Sequence, residues 1–208
     1  MKPIYTKNRV VGLLGGSFNP AHSGHLHITL YALKKLKMDA VWWLVSPRNP
    51  LKEPSSLAAY EKRLASAQQV AGQCRRIHVS DIERRYRTRY SYQTVAELKQ
   101  RHPGTHFVWL MGADNLPQFH RWRRWRQLVA EVPVVVFDRA PYSHTAQHSQ
   151  LAVYMRRFSM QNNQMQNFSG APGFHYVHLR RNPLSATGLR KMLGEQAFLG
   201  HNKGVGVL

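Results

Sequence analysis

The chain has 208 residues, of which 43% are hydrophobic, which is enough for one α/β domain with a sizeable core. No apolar run reaches the ~20 residues of a membrane-spanning helix. The stretch from Met1 to Arg9 is polar, so we expect no signal peptide. Cys74 is the single cysteine, which excludes an intrachain disulfide and favours a cytoplasmic protein without a membrane partner.

The net charge of +20 is extreme. Two basic runs, residues 84–89 and 121–126, alternate arginine with tyrosine or tryptophan. That pattern has two interpretations: a nucleic-acid-binding surface, or a solvated basic face that attracts polyanionic substrates. We favour the second interpretation and still expect non-specific nucleic-acid binding at low salt.

Strand and helix patterns alternate along the chain. The predicted strands are Val10–Leu14, Ala40–Val45, Ile77–Val79, Phe107–Met111, Val132–Phe137 and Phe174–Leu179. The predicted helices are Gly24–Lys37, Leu57–Gly72, Tyr92–Gln100, Arg124–Val129 and Thr187–Leu193. This alternation is typical of an α/β fold with a doubly wound parallel sheet, which carries helices on both faces.

Residues 1–208 are expected to form a single domain. The alternation of strands and helices is interrupted from Ser143 to Gly173. Within this stretch a helix is predicted over His148–Phe158. A Gln- and Asn-rich stretch follows, and we expect a mobile loop at about 159–173. A linker between two domains is disfavoured, because too little chain follows to build a second core.

The most informative segment runs from Gly12 to Leu26. An apolar strand leads into Gly15 and Gly16, which permit close backbone approach, and a helix is predicted to start near Pro20 to His22. His22 and His25, three residues apart, share one face of that helix. Each imidazole is a hydrogen-bond donor or a cation near neutral pH, and the first helical turn has unpaired N–H groups that suit phosphate.

Two other interpretations of this segment stay open. The histidines are exposed residues without a ligand, or they hold a metal. A metal site needs further Cys, His or carboxylate ligands, and none accompanies this pair or the pair His144 and His148. We therefore predict a nucleotide phosphate site and no protein-held metal.

Five segments, in family order, resemble the bacterial nicotinate-mononucleotide adenylyltransferases of the HxGH nucleotidyltransferase superfamily. They span about residues 10 to 194. The matching segments are Gly12–Leu26, Ser46–Lys52, Arg89–Val95, Phe107–Trp122 and Leu184–Arg190. The resemblance implies a Rossmann-like nucleotidyltransferase fold and adenylyl transfer from ATP to nicotinate mononucleotide in NAD biosynthesis.

The resemblance also implies roles for individual residues. The residues implied in catalysis are His22, His25, Lys52 and Arg190. Those implied in ATP binding are Gly15, Gly16, Ser17, His22, His25, Ser185, Thr187 and Arg190, with Ala186 standing where the family often has a second serine. Backbone N–H groups near Gly16, Ser17 and Phe18 are implied to receive the phosphate of the mononucleotide.

The remaining implied residues surround the mononucleotide. Trp122 corresponds to the family's nicotinate-stacking tryptophan, with Trp125 as a competing candidate. Backbone N–H groups near Ser91 and Arg123 are implied to receive the ring carboxylate. Asp114 stands at the family's Gly-x-Asp carboxylate and is implied to bond a ribose hydroxyl.

The implied reaction needs no general base, because the attacking phosphate is already an anion near pH 7. Catalysis then rests on positioning and charge neutralisation, with Mg²⁺ carried by the ATP phosphates. The alternatives are an adenylyltransferase for nicotinamide mononucleotide or pantetheine phosphate, and a basic nucleic-acid-binding protein with a vestigial site. The oligomeric state is not indicated by the sequence.

Overall fold

The computed structural model describes residues 8–48, 57–72, 74–138, 149–159 and 170–179. In this part of the chain, six parallel strands form one sheet in the order β3-β2-β1-β4-β5-β6. The strands are β1 Arg9–Gly16, β2 Ala40–Val45, β3 Ile77–Ser80, β4 Thr105–Gly112, β5 Val134–Phe137 and β6 Phe174–Val177. The predicted Rossmann-like, doubly wound fold is confirmed.

The helices follow the strands in the expected alternation. They are α1 Ser23–Lys34, α2 Tyr60–Ala71, α3 Ile82–Arg85, α4 Ser91–Arg101, α5 Leu116–Phe119, α6 Trp125–Glu131 and α7 Gln150–Met155. Short 3-10 turns cover Ala113–Asn115 and Arg156–Phe158. The predicted helix over 187–193 and residues 160–169 of the expected loop lie outside the described residues.

Two apolar layers cover the two faces of the sheet. Residues of α1 and α2 pack on one face, around Trp43 and Leu110. Residues of α3, α4, α5, α6 and α7 pack on the other, around Trp42 and Trp109. Because both faces are covered, strands such as β2 and β5 are buried throughout and consist of apolar residues only.

The sequence spacing of Leu26, Leu30, Leu33 and Leu36 predicts a row of leucines on the apolar face of this helix, and the face that α1 buries differs from it in part. The helix buries Thr29, Ala32 and Leu33, whereas Leu26 is only partly buried. The reason is Trp43 on β2, whose indole N–H donates to Thr29 Oγ1 at 2.7 Å. A polar acceptor therefore faces the sheet where a leucine row would place an apolar side chain.

The chain reverses its direction across the sheet between β1 and β4. Strands β1, β2 and β3 extend to one side of this point, and β4, β5 and β6 extend to the other. In open α/β sheets, ligands bind beyond the carboxyl ends of the strands at such a switch point. The loops after Gly16 and Gly112 lie there, and the N–H of Ser46 donates to the carbonyl of Gly16 at 2.9 Å. Parts of three motif segments therefore meet at one edge: Gly12–Leu26, Ser46–Lys52 and Phe107–Trp122.

No helix in the described ranges is long and apolar enough to cross a bilayer.

Candidate active site at the carboxyl edge of the sheet

The glycine turn, residues 15–22, connects β1 to α1. A Cβ on Gly15 would lie 2.7 Å from Trp109 Cη2, so packing inside the protein requires glycine there. Among the residues that the structure describes, a Cβ on Gly16 would meet only the Phe18 ring, at an ordinary 3.5 Å. Packing against the described residues therefore does not require glycine at 16, and a glycine leaves the backbone there accessible to close approach.

Phe18 has an unusual backbone conformation for a bulky residue. Its φ of +47° lies in the left-handed region, and its side chain is 2% exposed. The ring stacks on Trp43 at 5.2 Å and lies 4.7 Å from the His25 ring. Strained backbone of this kind persists only where surrounding contacts hold it, and it concentrates at ligand sites.

The two histidines cap the start of α1. His22 is the N-cap residue, and its Nδ1 accepts the N–H of Gly24 at 3.0 Å. His25 Nδ1 accepts the N–H of His22 at 3.2 Å. The helix thus begins at Ser23, and Pro20 precedes it rather than lying in its first turn.

These two hydrogen bonds determine which ring nitrogen of each histidine carries the proton. Since Nδ1 is the acceptor in both residues, a neutral imidazole carries its proton on Nε2. The rings lie 3.9 Å apart, so the two donors come as a pair at a helix N-terminus that has no acidic residue in its first turn.

Ser17 contributes a buried polar atom to the same turn. Its side chain is 7% exposed, and its Oγ makes no hydrogen bond within the described residues. A buried hydroxyl without a partner is destabilising, and a bound ligand relieves that cost. The atom supports the predicted role of Ser17 in binding.

A second group of predicted residues meets at the start of α4. Ser91 is its first residue, and Gln93 Oε1 accepts the N–H groups of Arg89 and Tyr90 at 3.1 Å each. The Arg123 guanidinium lies 5.4 Å from the centre of the Tyr90 ring. Residues 91 and 123, far apart in sequence, therefore lie on adjacent elements.

Burial distinguishes the two candidate stacking tryptophans. Trp125 is 7% exposed and packs in the core against Phe119 and Tyr154. Trp122 is only partly buried, although Phe119 stacks against it at 4.7 Å. Trp122 is thus the better placed of the two to receive a ligand ring.

Trp109 connects the two groups. The Trp109 ring packs against the backbone at Gly15 and meets Trp122 edge-on, with centroids 6.0 Å apart. Asp114 follows β4 in a half-buried 3-10 turn at the same edge. The structure therefore brings the glycine turn, Asp114 and Trp122 together at the switch point, where β1 and β4 end.

Glu83 on α3 is a buried carboxyl group that the sequence did not single out. Burial raises its pKa to about 7, and hydrogen bonds from the hydroxyls of Ser46 and Thr94 oppose this rise only in part. Ser46 follows β2, and Thr94 lies on α4. Glu83 therefore connects the loop beside the glycine turn to the helix beside Trp122.

An arginine–aromatic surface extends from this second group. Five exposed arginines lie over aromatic rings in or next to α4, α6 and α7 at 4.5 to 5.7 Å, and none of them forms an ion pair within the described ranges. The arginines are Arg89, Arg123, Arg124, Arg126 and Arg157, and the rings are Tyr90, Tyr92, Trp125, Tyr154 and Phe158. The surface therefore contains residues of both basic runs, 84–89 and 121–126. It also contains residues of α7 and the turn after it, which lie outside both runs.

Four predicted site residues lie outside the described residues: Lys52, Ser185, Thr187 and Arg190. Among the residues that are described, no group of three His, Cys, Asp or Glu side chains is arranged to hold a metal ion.

Comparison with known proteins decides the family. The profile described as cytidylyltransferase-like matches residues 13–192. A protein of Parvibaculum lavamentivorans named as a probable nicotinate-nucleotide adenylyltransferase is 51% identical over 155 residues, or 74% of this chain and 77% of that protein. A protein of the same name from a Bradyrhizobium species is 44% identical over 182 residues, covering 86% and 94% of the two chains. The chain belongs to the nicotinate-nucleotide adenylyltransferase family.

The fold of this adenylyltransferase family member also has a solved counterpart. The structure of the Plasmodium falciparum nicotinic acid mononucleotide adenylyltransferase complexed with NaAD superposes with a TM-score of 0.67 at 16% identity. The match covers 89% of this chain and 84% of that one. The predicted resemblance to the family is confirmed, and so is its enzyme class, nucleotidyl transfer.

Proposed function

We propose that this chain joins ATP and nicotinate mononucleotide to give nicotinate adenine dinucleotide and pyrophosphate. The observation that carries the proposal is the capped histidine pair, which presents two Nε2–H donors at the N-terminus of α1 beside the glycine turn. The names of the relatives support the same reaction.

In this reaction an oxygen of the mononucleotide phosphate attacks the α-phosphorus of ATP. The bond from that phosphorus to the bridging oxygen breaks, and pyrophosphate leaves with the negative charge. His22 and His25 donate to the ATP phosphates and stabilise the charge that moves onto the leaving group. The N–H groups near Gly16, Ser17 and Phe18 hold the attacking phosphate in line.

The mononucleotide lies at the second group of residues. Trp122 stacks on the electron-poor nicotinate ring, and the N–H groups near Ser91 and Arg123 receive its carboxylate. Asp114 bonds a ribose hydroxyl. Lys52, Ser185, Thr187 and Arg190 keep their predicted roles at the ATP phosphates, on the sequence resemblance alone.

Magnesium fits this site as an ion that arrives with ATP. Mg²⁺ keeps several waters and binds readily through substrate phosphates, and the described residues hold no group of three His, Cys, Asp or Glu side chains that would bind it instead. When bound, the ion neutralises phosphate charge. We place the reaction in the cytoplasm, because a free Cys74 suits a reducing compartment.

The test is pyrophosphate release from ATP and Mg²⁺ with nicotinate mononucleotide, nicotinamide mononucleotide or pantetheine phosphate as acceptor. Chromatography of the product identifies which acceptor is adenylylated. We expect the highest kcat/KM with nicotinate mononucleotide. A higher value with either other acceptor, or no release with any, contradicts the proposal.

A second candidate function rests on the arginine–aromatic surface. Arginines without carboxylate partners bind phosphates, and nearby aromatic rings stack on bases, so the surface fits single-stranded nucleic acid. This candidate requires that a labelled single-stranded oligonucleotide bind with a Kd tighter than about micromolar at physiological ionic strength.

Charge removal tests this candidate. The double substitution Arg126→Gln and Arg157→Gln should weaken binding by about tenfold. The matched control is Arg84→Gln with Arg101→Gln, two exposed arginines that pair with carboxylates elsewhere. Equal weakening by both pairs, or binding only at low salt, identifies non-specific attraction by the net charge and overturns the candidate.

A further inference from the structure

Arg63 is a cation buried beside the glycine turn. It lies in the first half of α2, and its side chain is 1% exposed. Burial lowers the pKa of its guanidinium, since desolvation disfavours the charged form. Within the described ranges it forms no ion pair with a carboxylate, so another kind of partner must satisfy its charge.

The partners of Arg63 are four backbone carbonyl groups. Nη1 donates to the oxygens of Ser17 and Ser46 at 2.7 Å each, Nη2 to that of Pro47 at 2.9 Å, and Nε to that of Ala58 at 3.0 Å. These carbonyls belong to the loop after β1, the loop after β2 and the segment before α2. The planar guanidinium thus joins three backbone segments at once, which an ammonium group cannot reproduce.

The bond to Ser17 fixes the direction of a neighbouring N–H. In a trans peptide the C=O and N–H groups point to opposite sides, so the carbonyl held by Arg63 turns the N–H of Phe18 away from it. Phe18 also has the left-handed φ of +47°, which needs support from its surroundings. Asn19 adds a further tie, because its Oδ1 accepts the N–H of Ala58 at 3.0 Å.

We propose that Arg63 is the positioning residue of the phosphate-binding turn, acting on the mononucleotide phosphate through the orientation of the Ser17–Phe18 peptide group. This inference rests on the proposed function, in which the Phe18 N–H receives that phosphate. Arg63 touches no substrate. Its loss should therefore raise the KM for the mononucleotide more than it changes the KM for ATP.

The test compares Arg63→Lys and Arg63→Ala with Arg84→Lys and Arg84→Ala. Arg84 is the matched control, because its guanidinium also lies 5.3 Å from the Tyr60 ring but is exposed. Kinetics are measured well below each variant's melting temperature, so that only folded protein is compared. We expect both Arg63 variants to raise the KM for the mononucleotide by about tenfold or more, with the Arg84 variants unchanged.

Two further readouts separate positioning from folding or charge. Free guanidinium ion should restore part of the activity of Arg63→Ala and leave Arg63→Lys unchanged. Normal KM values in folded Arg63 variants overturn the inference, and so does full activity in Arg63→Lys, which would show that charge alone suffices. If neither Arg63 variant folds, Arg63→Gln keeps a shorter uncharged donor at the same position, and an unchanged mononucleotide KM in that folded variant overturns the inference.

The wild-type protein separates this inference from the proposed function. Absence of turnover with nicotinate mononucleotide in the wild type contradicts the proposed function. A normal wild type together with kinetically normal Arg63 variants contradicts only the positioning role.

Discussion

The glycine turn and the arginine–aromatic surface hold positive or donor groups in opposite ways. At the turn, His22 and His25 are oriented by backbone N–H groups, and the cation of Arg63 is enclosed by four carbonyls. On the surface, arginines such as Arg126 and Arg157 are exposed and rest on aromatic rings.

This difference predicts different roles: the fixed groups of the turn position the reacting phosphates, and the exposed charges of the surface attract anions. Buried donors with fixed hydrogen bonds are preorganised for one geometry, so removing one of them affects the transition state strongly. Exposed charges keep rotamer freedom and are screened by salt, so each contributes little alone and acts mainly on encounter rates. Substitutions in the two regions should therefore differ in both size and salt dependence.

The largest effect is expected from His25→Ala. Loss of one preorganised donor should lower kcat by about 100-fold or more, while the loss of a cap destabilises the fold by only about 1 kcal/mol. The control is His27→Ala, on a different face of α1, which should keep its rate. Steady-state kinetics and thermal unfolding measure both quantities, and a near-normal kcat for His25→Ala removes the assigned role.

The second prediction concerns Glu83, which joins the two regions. Its pKa is about 7 in the folded protein, compared with 4.5 as the ordinary value, so the folded state retains a proton that the unfolded state has released. The protonated group stabilises the fold fully below pH 4.5, and this stability falls as the pH rises towards 7. The loss amounts to about 3 kcal/mol.

Glu83→Gln should remove this pH dependence, because the amide cannot ionise. Urea unfolding of the wild type and the variant across the same pH range gives the difference in free energy of unfolding. Glu97→Gln is the control, since Glu97 is paired with Arg101 at the surface. Parallel pH profiles for wild type and Glu83→Gln would contradict the raised pKa.

Much of the fold could be predicted because its strands are buried on both faces. The bounds of β2 were predicted to the residue, since six apolar residues are followed directly by polar Ser46. Helices α3 and α5 were missed, because four residues are too few to show a helical period.

The site residues that belong to a sequence motif could be predicted. Those whose role depends on tertiary contacts could not. The histidine spacing indicated a shared face, but the sequence could not show that both Nδ1 atoms accept backbone N–H groups. In the sequence, Arg63 is one of 30 lysine and arginine residues. Its signal was present in the spacing, because residues 63, 67 and 71 share one helix face and the other two are alanines.

The third prediction concerns Trp122→Ala. Loss of a stacking ring should raise the KM for nicotinate mononucleotide by about tenfold, with little change in the KM for ATP. Trp125→Leu is the comparison. Because the Trp125 ring is buried, its loss should lower the melting temperature without changing the KM of the folded enzyme. The opposite pattern would move the stacking role to Trp125.

The smallest effect is expected from the arginine–aromatic surface during catalysis. If its charges attract anionic substrates, kcat/KM should fall as ionic strength rises, while kcat stays constant. The double substitution of Arg126 and Arg157 by Gln should lower kcat/KM by about twofold at low salt and converge with the wild type at high salt. Stopped-flow or steady-state measurements over a salt series give this slope.

Because steering depends on exposed charge and catalysis on fixed donors, His25→Ala should keep the wild-type salt slope at its lower rate. A slope that disappears with His25 would mean that the two regions act as one electrostatic unit.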